Sequence, residues 1–272
     1  MLSLLLENPT RRYFIKKSAA VIGGTAMASM GLFNFATAHA QTAVANTLTA
    51  EELVKSIRQD LAEVDAQIRN HVYIQALQKG KVTEEALKAF PGHQYHTIIS
   101  DLRSMATLVQ RFGEHPLAGP FFNGILQGEF SGLSSLLVLA QRLGMTEEDL
   151  KQYEVVPEGF TYATFLAWQS VYASVAEVTC GILVNFDAWG YNCGQMSKAL
   201  QENYHFSTAE TAFLDSFANL PSFEEVALLI IQTGLDQGTS PKKIRQSARL
   251  FQAYEKMFWD TLAKLADLKH IS

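Results

Sequence analysis

Helix-start signals recur along the whole chain and constrain its fold more than any other feature. Three Ser/Thr-x-x-Glu capping boxes begin at Thr49, Ser207 and Ser222, and in each box the two side chains satisfy unpaired backbone amides of a first helical turn. Ser240-Pro241 places a cap before a proline at the first helical position, where its missing N–H costs nothing. No stretch shows the sustained alternation and β-branched enrichment of a strand. The sequence therefore predicts an all-α, single-domain multi-helix bundle.

The helix ends are predicted from glycines, which favour the position just after a helix; these are Gly80, Gly113, Gly144 and Gly238. We expect one interruption inside a helix, at Pro91-Gly92. The predicted helices cover residues 50–79, 84–112, 119–143, 160–183, 186–203, 208–219, 223–237 and 241–268. With 272 residues, 48% of them hydrophobic, the chain can bury a sizeable core.

The first forty residues have the pattern of an export signal. Arg11-Arg12 precedes a Gly/Ala-rich, moderately apolar segment at 18–36, and Ala38-His39-Ala40 is a small-x-small cleavage site. We predict a twin-arginine signal peptide at 1–40, a short linker at 41–48 and the helical domain at 49–272. The alternative is a retained membrane anchor, which needs roughly 20 strongly apolar residues.

The signal predicts where the protein works and which partners it meets. The twin-arginine export machinery would carry it, already folded, to the periplasm or the exterior, with no stable membrane association after cleavage. The whole chain has a net charge of −5, and removal of residues 1–40 takes away four basic residues and one acidic residue, leaving about −8. Nucleic acid is not expected as a partner, because no basic stripe offsets that charge.

The two cysteines, Cys180 and Cys193, leave two alternatives open. Thirteen residues along one helix separate two side chains by about 20 Å, far more than a disulfide spans. A bridge would need a helix break, which Gly181 or Gly190 could supply. Otherwise both are free, buried thiols.

A carboxylate interrupts the apolar stripe of the last predicted helix. Steps of three and four residues lead from Ile244 through Phe251 to Glu255 and on to Phe258. Glu129 interrupts the stripe of the helix at 119–143 in the same way. A buried carboxylate must find partners or take up a proton, and such groups are typical of pockets that use an acid or a base. The structural alternative is hydrogen bonding to a Tyr hydroxyl, to Arg103 or to a helix end.

The segment from Phe160 to Cys193 is rich in aromatic residues. Such density indicates either core packing or a cavity walled by rings that bind a flat heteroaromatic ligand. A di-iron carboxylate site would need Glu-x-x-His pairs, but neither His93 nor His96 has a glutamate three residues before it. We expect neither a metal site nor another cofactor.

Four segments in order resemble the TenA/thiaminase-II family, which shares a superfamily with PqqC and has a haem-oxygenase-like helical fold. They are residues 71–80 (HVYIQALQKG), the helix that carries Glu129, the stretch from Tyr162 to Trp189, and the motif Tyr254-Glu255-x-x-Phe258-Trp259. The resemblance covers residues 71–260. It implies assembly as dimers or tetramers.

The resemblance implies that Glu255 projects into a central pocket and acts as acid and base on an aminopyrimidine, the pyrimidine half of thiamin. It also implies that Tyr162 lies near this glutamate, and Trp259 completes the motif. Other positions depart from the family pattern. Gln94 stands where the family has the aspartate that holds the pyrimidine, and Asn185 stands where it has the nucleophilic cysteine.

Two family tyrosines are replaced as well, by Thr97 and Trp189, and a further one falls near Phe217. Covalent thiamin hydrolysis needs a thiolate, so these departures disfavour it. Our prediction is non-covalent acid/base hydrolysis of a thiamin-like or aminopyrimidine-like heterocycle. Gln94, Thr97, Asn185, Trp189, Glu129 and Trp259 are the predicted ligand-binding residues. The alternatives are a non-catalytic ligand-binding protein of the same fold and a PqqC-like oxidase.

Overall fold

The computed structural model describes residues 48–268, and in this part of the chain all regular secondary structure is helical, with no β-strand. The all-α prediction is confirmed. A short 3₁₀ helix at Pro157–Phe160 accompanies the α-helices. These are α1 Ala50–Asp60, α2 Ala62–Arg69, α3 Val72–Gln78, α4 Glu84–Leu87, α5 Ala89–Phe112, α6 Ala118–Arg142, α7 Glu147–Gln152, α8 Thr161–Tyr172, α9 Val175–Tyr204, α10 Ala212–Ala218, α11 Glu224–Asp236 and α12 Pro241–Leu265.

The predicted helix at 50–79 was wrong in its continuity, since it is divided into α1, α2 and α3. It begins as predicted: the Thr49 hydroxyl accepts from the Glu52 amide at 3.2 Å, and the Glu52 carboxylate accepts from the Thr49 amide at 3.0 Å. The second division has a clear local cause. His71 has an extended backbone, and its Nδ1 accepts from the Tyr73 amide at 3.2 Å, so it caps α3.

The interruption predicted at Pro91-Gly92 was also wrong. Helix α5 begins at Ala89, so Pro91 lies in its first turn, where no intrahelical partner is lost. Gly92 is needed for packing, because a Cβ there would lie 2.6 Å from the ring of Tyr153.

The break between the next two long helices lies at Ala173-Ser174, about ten residues earlier than predicted. Ser174 and Glu177 form a capping box: the Ser174 hydroxyl accepts from the Glu177 amide, and the Glu177 carboxylate accepts from the Ser174 amide. Helix α9 is therefore a single helix of 30 residues. It carries both Cys180 and Cys193, which are free and buried.

The other predicted caps had mixed outcomes. Gly80, Gly144 and Gly238 have φ angles of 61°, 75° and 89°, a conformation that glycine adopts without a steric penalty. The Ser207 box makes its hydrogen bonds but lies before a turn, and α10 begins only at Ala212. The Ser222 box is not formed, since α11 starts after Phe223 without a side-chain cap.

Helix α9 lies at the centre of this fold. It packs against α10, α11 and α12, while α5 packs against α6 and α8. Between residues 48 and 268 no helix is long and apolar enough to cross a bilayer. The predicted signal peptide at 1–40 and all but the last residue of the predicted linker at 41–48 lie outside the described residues.

Candidate functional site

A pocket opens between the long helices, and residues of α5, α6, α8, α9, α10, α12 and the 3₁₀ helix contribute to it. Its wall combines aromatic and aliphatic groups with a few polar ones, as is typical of small-molecule sites. The lining residues are Gln94, Thr97, Ile98, Asp101, Met105, Glu129, Gly159, Tyr162, Leu166, Ile182, Asn185, Phe186, Trp189, Phe217, Glu255 and Phe258.

The cavity is small. The volume open to the centres of water-sized molecules is about 50 Å³. One water needs about 10–15 Å³ of such volume and takes up about 30 Å³ of liquid, so the space corresponds to roughly four waters. That is about the size of one substituted six-membered ring.

Glu255 is the most enclosed acid of this pocket, with only 2% of its surface exposed. Its Oε2 accepts a hydrogen bond from Asn185 Nδ2 at 2.5 Å, and its Oε1 accepts one from Trp259 Nε1 at 3.1 Å. Burial raises the pKa of Glu255 to about 8, although the bond from Trp259 acts in the opposite direction. The carboxyl group is thus held in a fixed position and keeps its proton at neutral pH.

The partners of Glu255 differ from those that the structural alternative named. Among the residues that the structure describes, neither a Tyr hydroxyl nor Arg103 bonds to it; its partners are an indole and an amide. Asn185 also donates to Gln252 Oε1 at 3.2 Å, so two buried amides on α9 and α12 form one network with the acid. Asn185 therefore positions Glu255 from the neighbouring helix α9.

Tyr162 lies on α8 and is half-buried on the pocket wall. Its ring packs edge-on against Phe251, with the ring centroids 5.3 Å apart. Burial and the negative charges of Asp101, Glu129 and Glu255 all raise the pKa of its hydroxyl, which stays protonated. Tyr162 can therefore donate a hydrogen bond to a ligand.

One further acid of the pocket, Asp101, was not predicted from the sequence. Asp101 on α5 is 6% exposed, lines the pocket and faces the same space as Glu129 on α6, which is half-buried. Burial raises the pKa of Glu129 to about 7. Burial, together with the charge of Glu129, raises the pKa of Asp101 well above its usual range. The signal was present: Asp101 lies on the same α5 stripe as Gln94, Ile98 and Met105.

The structure brings most of the other predicted residues to this pocket. Gln94, Thr97, Asn185 and Trp189 all line it. Trp259 does not; it is fully buried behind Glu255 and reaches it through its indole N–H. Two aromatic residues of the wall pack against each other, since the ring centroids of Trp189 and Phe217 are 5.8 Å apart.

Neither cysteine can serve as a pocket nucleophile. Cys193 is fully buried in the core and does not line the pocket, and burial raises the pKa of its thiol well above the usual value. A thiol in such surroundings is not ionised at neutral pH. Among residues 48–268, no three His, Cys, Asp or Glu side chains come close enough together to hold a metal ion.

Comparisons with known proteins identify the family. Residues 58–264 match the sequence profile described as the TENA/THI-4/PQQC family. The chain belongs to this family. The match covers three quarters of the chain and includes every residue named above as lining the pocket. The comparison with curated proteins found no match.

Solved structures give the fold. A TenA homologue from Pseudomonas syringae superposes with a TM-score of 0.69 at 17% identity, covering 80% of this chain and 96% of that one. A TenA family transcription regulator from Silicibacter has a TM-score of 0.61 at 12% identity, covering 81% and 98%.

Haem oxygenase-1 from the cyanobacterium Synechocystis, in complex with haem, has a TM-score of 0.53 at 15% identity, covering 79% of this chain and 94% of that one. The predicted haem-oxygenase-like fold is confirmed. At these identities the likeness concerns the fold alone.

Proposed function

We propose that this TENA/THI-4/PQQC-family protein binds a single-ring, nitrogen-containing heterocycle of the aminopyrimidine kind and hydrolyses it by acid/base chemistry through Glu255. The single observation that carries the proposal is the environment of Glu255: an enclosed carboxyl group on the pocket wall, fixed by Asn185 and Trp259. A buried acid with a pKa near the working pH can both give and accept a proton during a reaction.

The proposed step needs no covalent intermediate. Water attacks the ring-linked carbon, and the bond from that carbon to the leaving nitrogen breaks. Glu255 gives its proton to the leaving nitrogen and takes one from the attacking water, so it ends the cycle as it began. Tyr162 donates a hydrogen bond to the ligand. This route suits a pocket in which Asn185 replaces a nucleophile and Cys193 lies elsewhere.

The size of the cavity supports a small ligand. A cavity with only about 50 Å³ open to the centres of water-sized molecules favours a ligand as small as a single ring. Trp189, Phe217 and Phe258 offer ring faces and edges to such a ligand. Gln94 and Thr97 supply neutral hydrogen-bonding groups along α5.

Turnover by wild-type protein and by Glu255→Gln on a panel of thiamin derivatives and aminopyrimidines tests the proposal. Glutamine keeps the shape and can still bond to Trp259 and Asn185, but it cannot transfer a proton. We expect the rate to fall by about 10²–10⁴-fold. Glu225→Gln, which changes an exposed glutamate on α11, is the matched control and should be unaffected. Equal turnover in wild type and Glu255→Gln would reject the enzyme.

A binding protein without chemistry is the second candidate, favoured by the amide of Asn185 at the position where the family nucleophile falls. Native mass spectrometry of the purified protein separates the two: a stoichiometric ligand recovered unchanged favours binding, and a converted ligand favours the enzyme. The third is oxidation in place of hydrolysis, by a PqqC-like oxidase or by an iron-dependent oxidase of the same superfamily. About two irons per chain in a metal analysis would favour it.

Export and assembly are also part of the proposal. The twin-arginine pattern at 1–40 supports delivery to the periplasm or the exterior. Cell fractionation with and without Arg11→Lys and Arg12→Lys tests this. Retention of the double variant in the cytoplasm is the expected result, and unchanged delivery would contradict it. Sedimentation analysis would show whether the protein forms the dimers or tetramers expected from the resemblance.

A further inference from the structure

We propose that Asp101 and Glu129 form a binding subsite for an organic cation, on the part of the pocket wall where α5 meets α6. The inference rests on the proposed function, since the cationic group would belong to the ligand whose ring reaches Glu255. It names the class of that ligand: a flat ring that carries an amidinium or ammonium group.

Asp101 carries the first part of the argument. Its carboxylate lies on the pocket wall with 6% of the residue exposed, and its Oδ1 is fully buried with no hydrogen-bond donor among residues 48–268. A buried acceptor without a donor costs about 1–3 kcal/mol, and nearly all such groups in proteins are satisfied. In the proposed subsite, an N–H group of the bound ligand supplies this donor.

Glu129 supplies a second negative charge to the same space. It comes from the neighbouring helix α6, and its charge acts on Asp101 strongly enough to raise the pKa of that residue. Two carboxylates in one enclosed space repel each other unless a proton or a cation lies between them. An amidinium has N–H groups on two nitrogens and can bond to both carboxylates at once.

The rest of the pocket offers no positive charge. None of its described lining residues is Lys, Arg or His, whereas three are acidic. Within the described part of the chain, no ion pair or hydrogen bond involves the side chain of Asp101 or Glu129. Both acids are thus available to a cationic ligand.

Asp187 and Glu224, unlike Asp101, have a cationic partner. Arg58 bonds to Asp187 at 3.0 Å and to Glu224 at 2.5 Å, although all three side chains are about one third to one half exposed. These two half-exposed acids, which water could also solvate, are paired with an arginine, whereas the enclosed Asp101 has no cationic partner among the described residues. This contrast favours a ligand role for the pocket acids over a purely structural one.

The ligand class follows from the charge and the shape. A carboxylate or phosphate would meet three acidic side chains and no compensating cation. A neutral ring without N–H groups would fit the apolar surface of Ile98 and Met105 but would leave Asp101 Oδ1 without a donor. A neutral ring with N–H groups would supply the donor but would leave the negative charge of the acids uncompensated. A ring with a cationic group at one end satisfies both the apolar wall and the acids.

Benzamidine, benzamide and benzoate form a matched set of probes, since they share one ring and differ in charge. Calorimetric titration of the full chain at pH 8 measures their binding. We expect benzamidine to bind at least about tenfold more tightly than benzamide, with benzoate weakest. Asp101→Asn should reduce the preference for benzamidine over benzamide to about twofold or less, and Glu129→Gln should reduce it by a smaller factor.

Two controls keep the outcome clear. Glu225→Gln should keep the full preference, and circular dichroism reports whether Asp101→Asn is folded. If it is not folded, Glu129→Gln decides the question. Equal binding of benzamidine and benzamide to wild type, no binding of any probe, or an unchanged preference in the deciding variant would overturn the subsite.

The same titration separates this inference from the proposed function. Glu255→Gln should keep the preference for benzamidine, because Glu255 is not part of the subsite, while turnover is lost. If turnover survives in Glu255→Gln but the benzamidine preference disappears in Asp101→Asn, the catalytic proposal fails and the subsite stands. If turnover is lost in Glu255→Gln but the benzamidine preference persists in Asp101→Asn, the subsite fails and the catalytic proposal stands.

Discussion

Glu255 and Asp101 are acids of one pocket with opposite surroundings. The carboxyl group of Glu255 accepts two hydrogen bonds, one from Asn185 on the neighbouring helix α9 and one from Trp259 on its own helix α12. Asp101 is nearly as buried, but its Oδ1 has no described donor. A partnered acid is held in one position, as proton transfer requires. An unpartnered acid is satisfied only by what binds beside it. On our two proposals, Glu255 carries out the chemistry and Asp101 takes part in recognition of the ligand.

The largest expected effect comes from Asn185→Asp, which replaces the amide beside Glu255 with a second carboxylate. Above the pKa of the pair, two negative charges would lie about one hydrogen-bond length apart in a buried site. We expect a loss of about 3–5 kcal/mol in the free energy of unfolding at pH 9, and a much smaller loss at pH 5, where the pair shares a proton.

Urea unfolding at the two pH values measures this effect. Asn123→Asp, which makes the same chemical change at an exposed position of α6, should shift stability by less than about 0.5 kcal/mol. A loss for Asn185→Asp that is the same at pH 5 and pH 9 would show that the charge of Glu255 is not involved.

The next effect is the pH dependence that Glu255 itself imposes on stability. Its pKa is raised from 4.5 to about 8 in the folded protein, so the folded state binds the proton more tightly than the unfolded state does. The stabilising contribution of protonated Glu255 to the free energy of unfolding is therefore fully present below pH 4.5. It is lost as the pH rises through 8. Glu255→Gln removes this loss, and at pH 9 it should be more stable than wild type by about 2–4 kcal/mol. Parallel stability curves for the two proteins between pH 5 and pH 9 would contradict the raised pKa.

Asp101→Asn should give a smaller gain. It removes an unpartnered buried carboxylate whose pKa is also raised. The gain in stability from the substitution therefore also grows as the pH rises. We expect about 1 kcal/mol at pH 8, measured as the shift in the urea midpoint at constant slope. A destabilised Asp101→Asn would mean that the carboxylate has a structural partner, and the contrast with Glu255 would disappear.

Tyr162→Phe should have the smallest effect on stability, about 0.5 kcal/mol or less, because no hydrogen bond to the Tyr162 hydroxyl is present among the described residues. If the hydroxyl bonds to the ligand, turnover should nevertheless fall by about tenfold, the equivalent of one hydrogen bond. A fall in stability with unchanged turnover would instead place Tyr162 among the packing residues.

The helical fold could be predicted because its signals are local. Capping boxes and glycines act over a few residues, as at Thr49 and Gly144, and they can be read from the sequence alone. The breaks after α1 and α2 could not, because neither Leu61 nor Asn70 is a glycine or a proline. Pro91 misled the prediction because its effect depends on its position within the helix.

The family resemblance pointed to Gln94, Thr97, Asn185 and Trp189, which line the pocket. The apolar pattern alone pointed to pocket residues only where one helix carried the signal. Glu255 and Glu129 interrupt clear apolar stripes, whereas Asp101 stands on an α5 stripe that already contains Gln94 and Thr97, so it did not stand out. The bond from Asn185 to Glu255 joins α9 to α12. It depends on how two helices pack, which no pattern within a single helix records.

The central claim is that Glu255 keeps its proton in an enclosed pocket at neutral pH. Carbon-13 NMR of protein labelled at the glutamate side-chain carboxyl, titrated from pH 4 to pH 10, tests it most directly, with Glu255→Gln identifying the signal. The account predicts that this one signal titrates with a midpoint near 8. A midpoint near 4.5, together with the exposed glutamates, would contradict it.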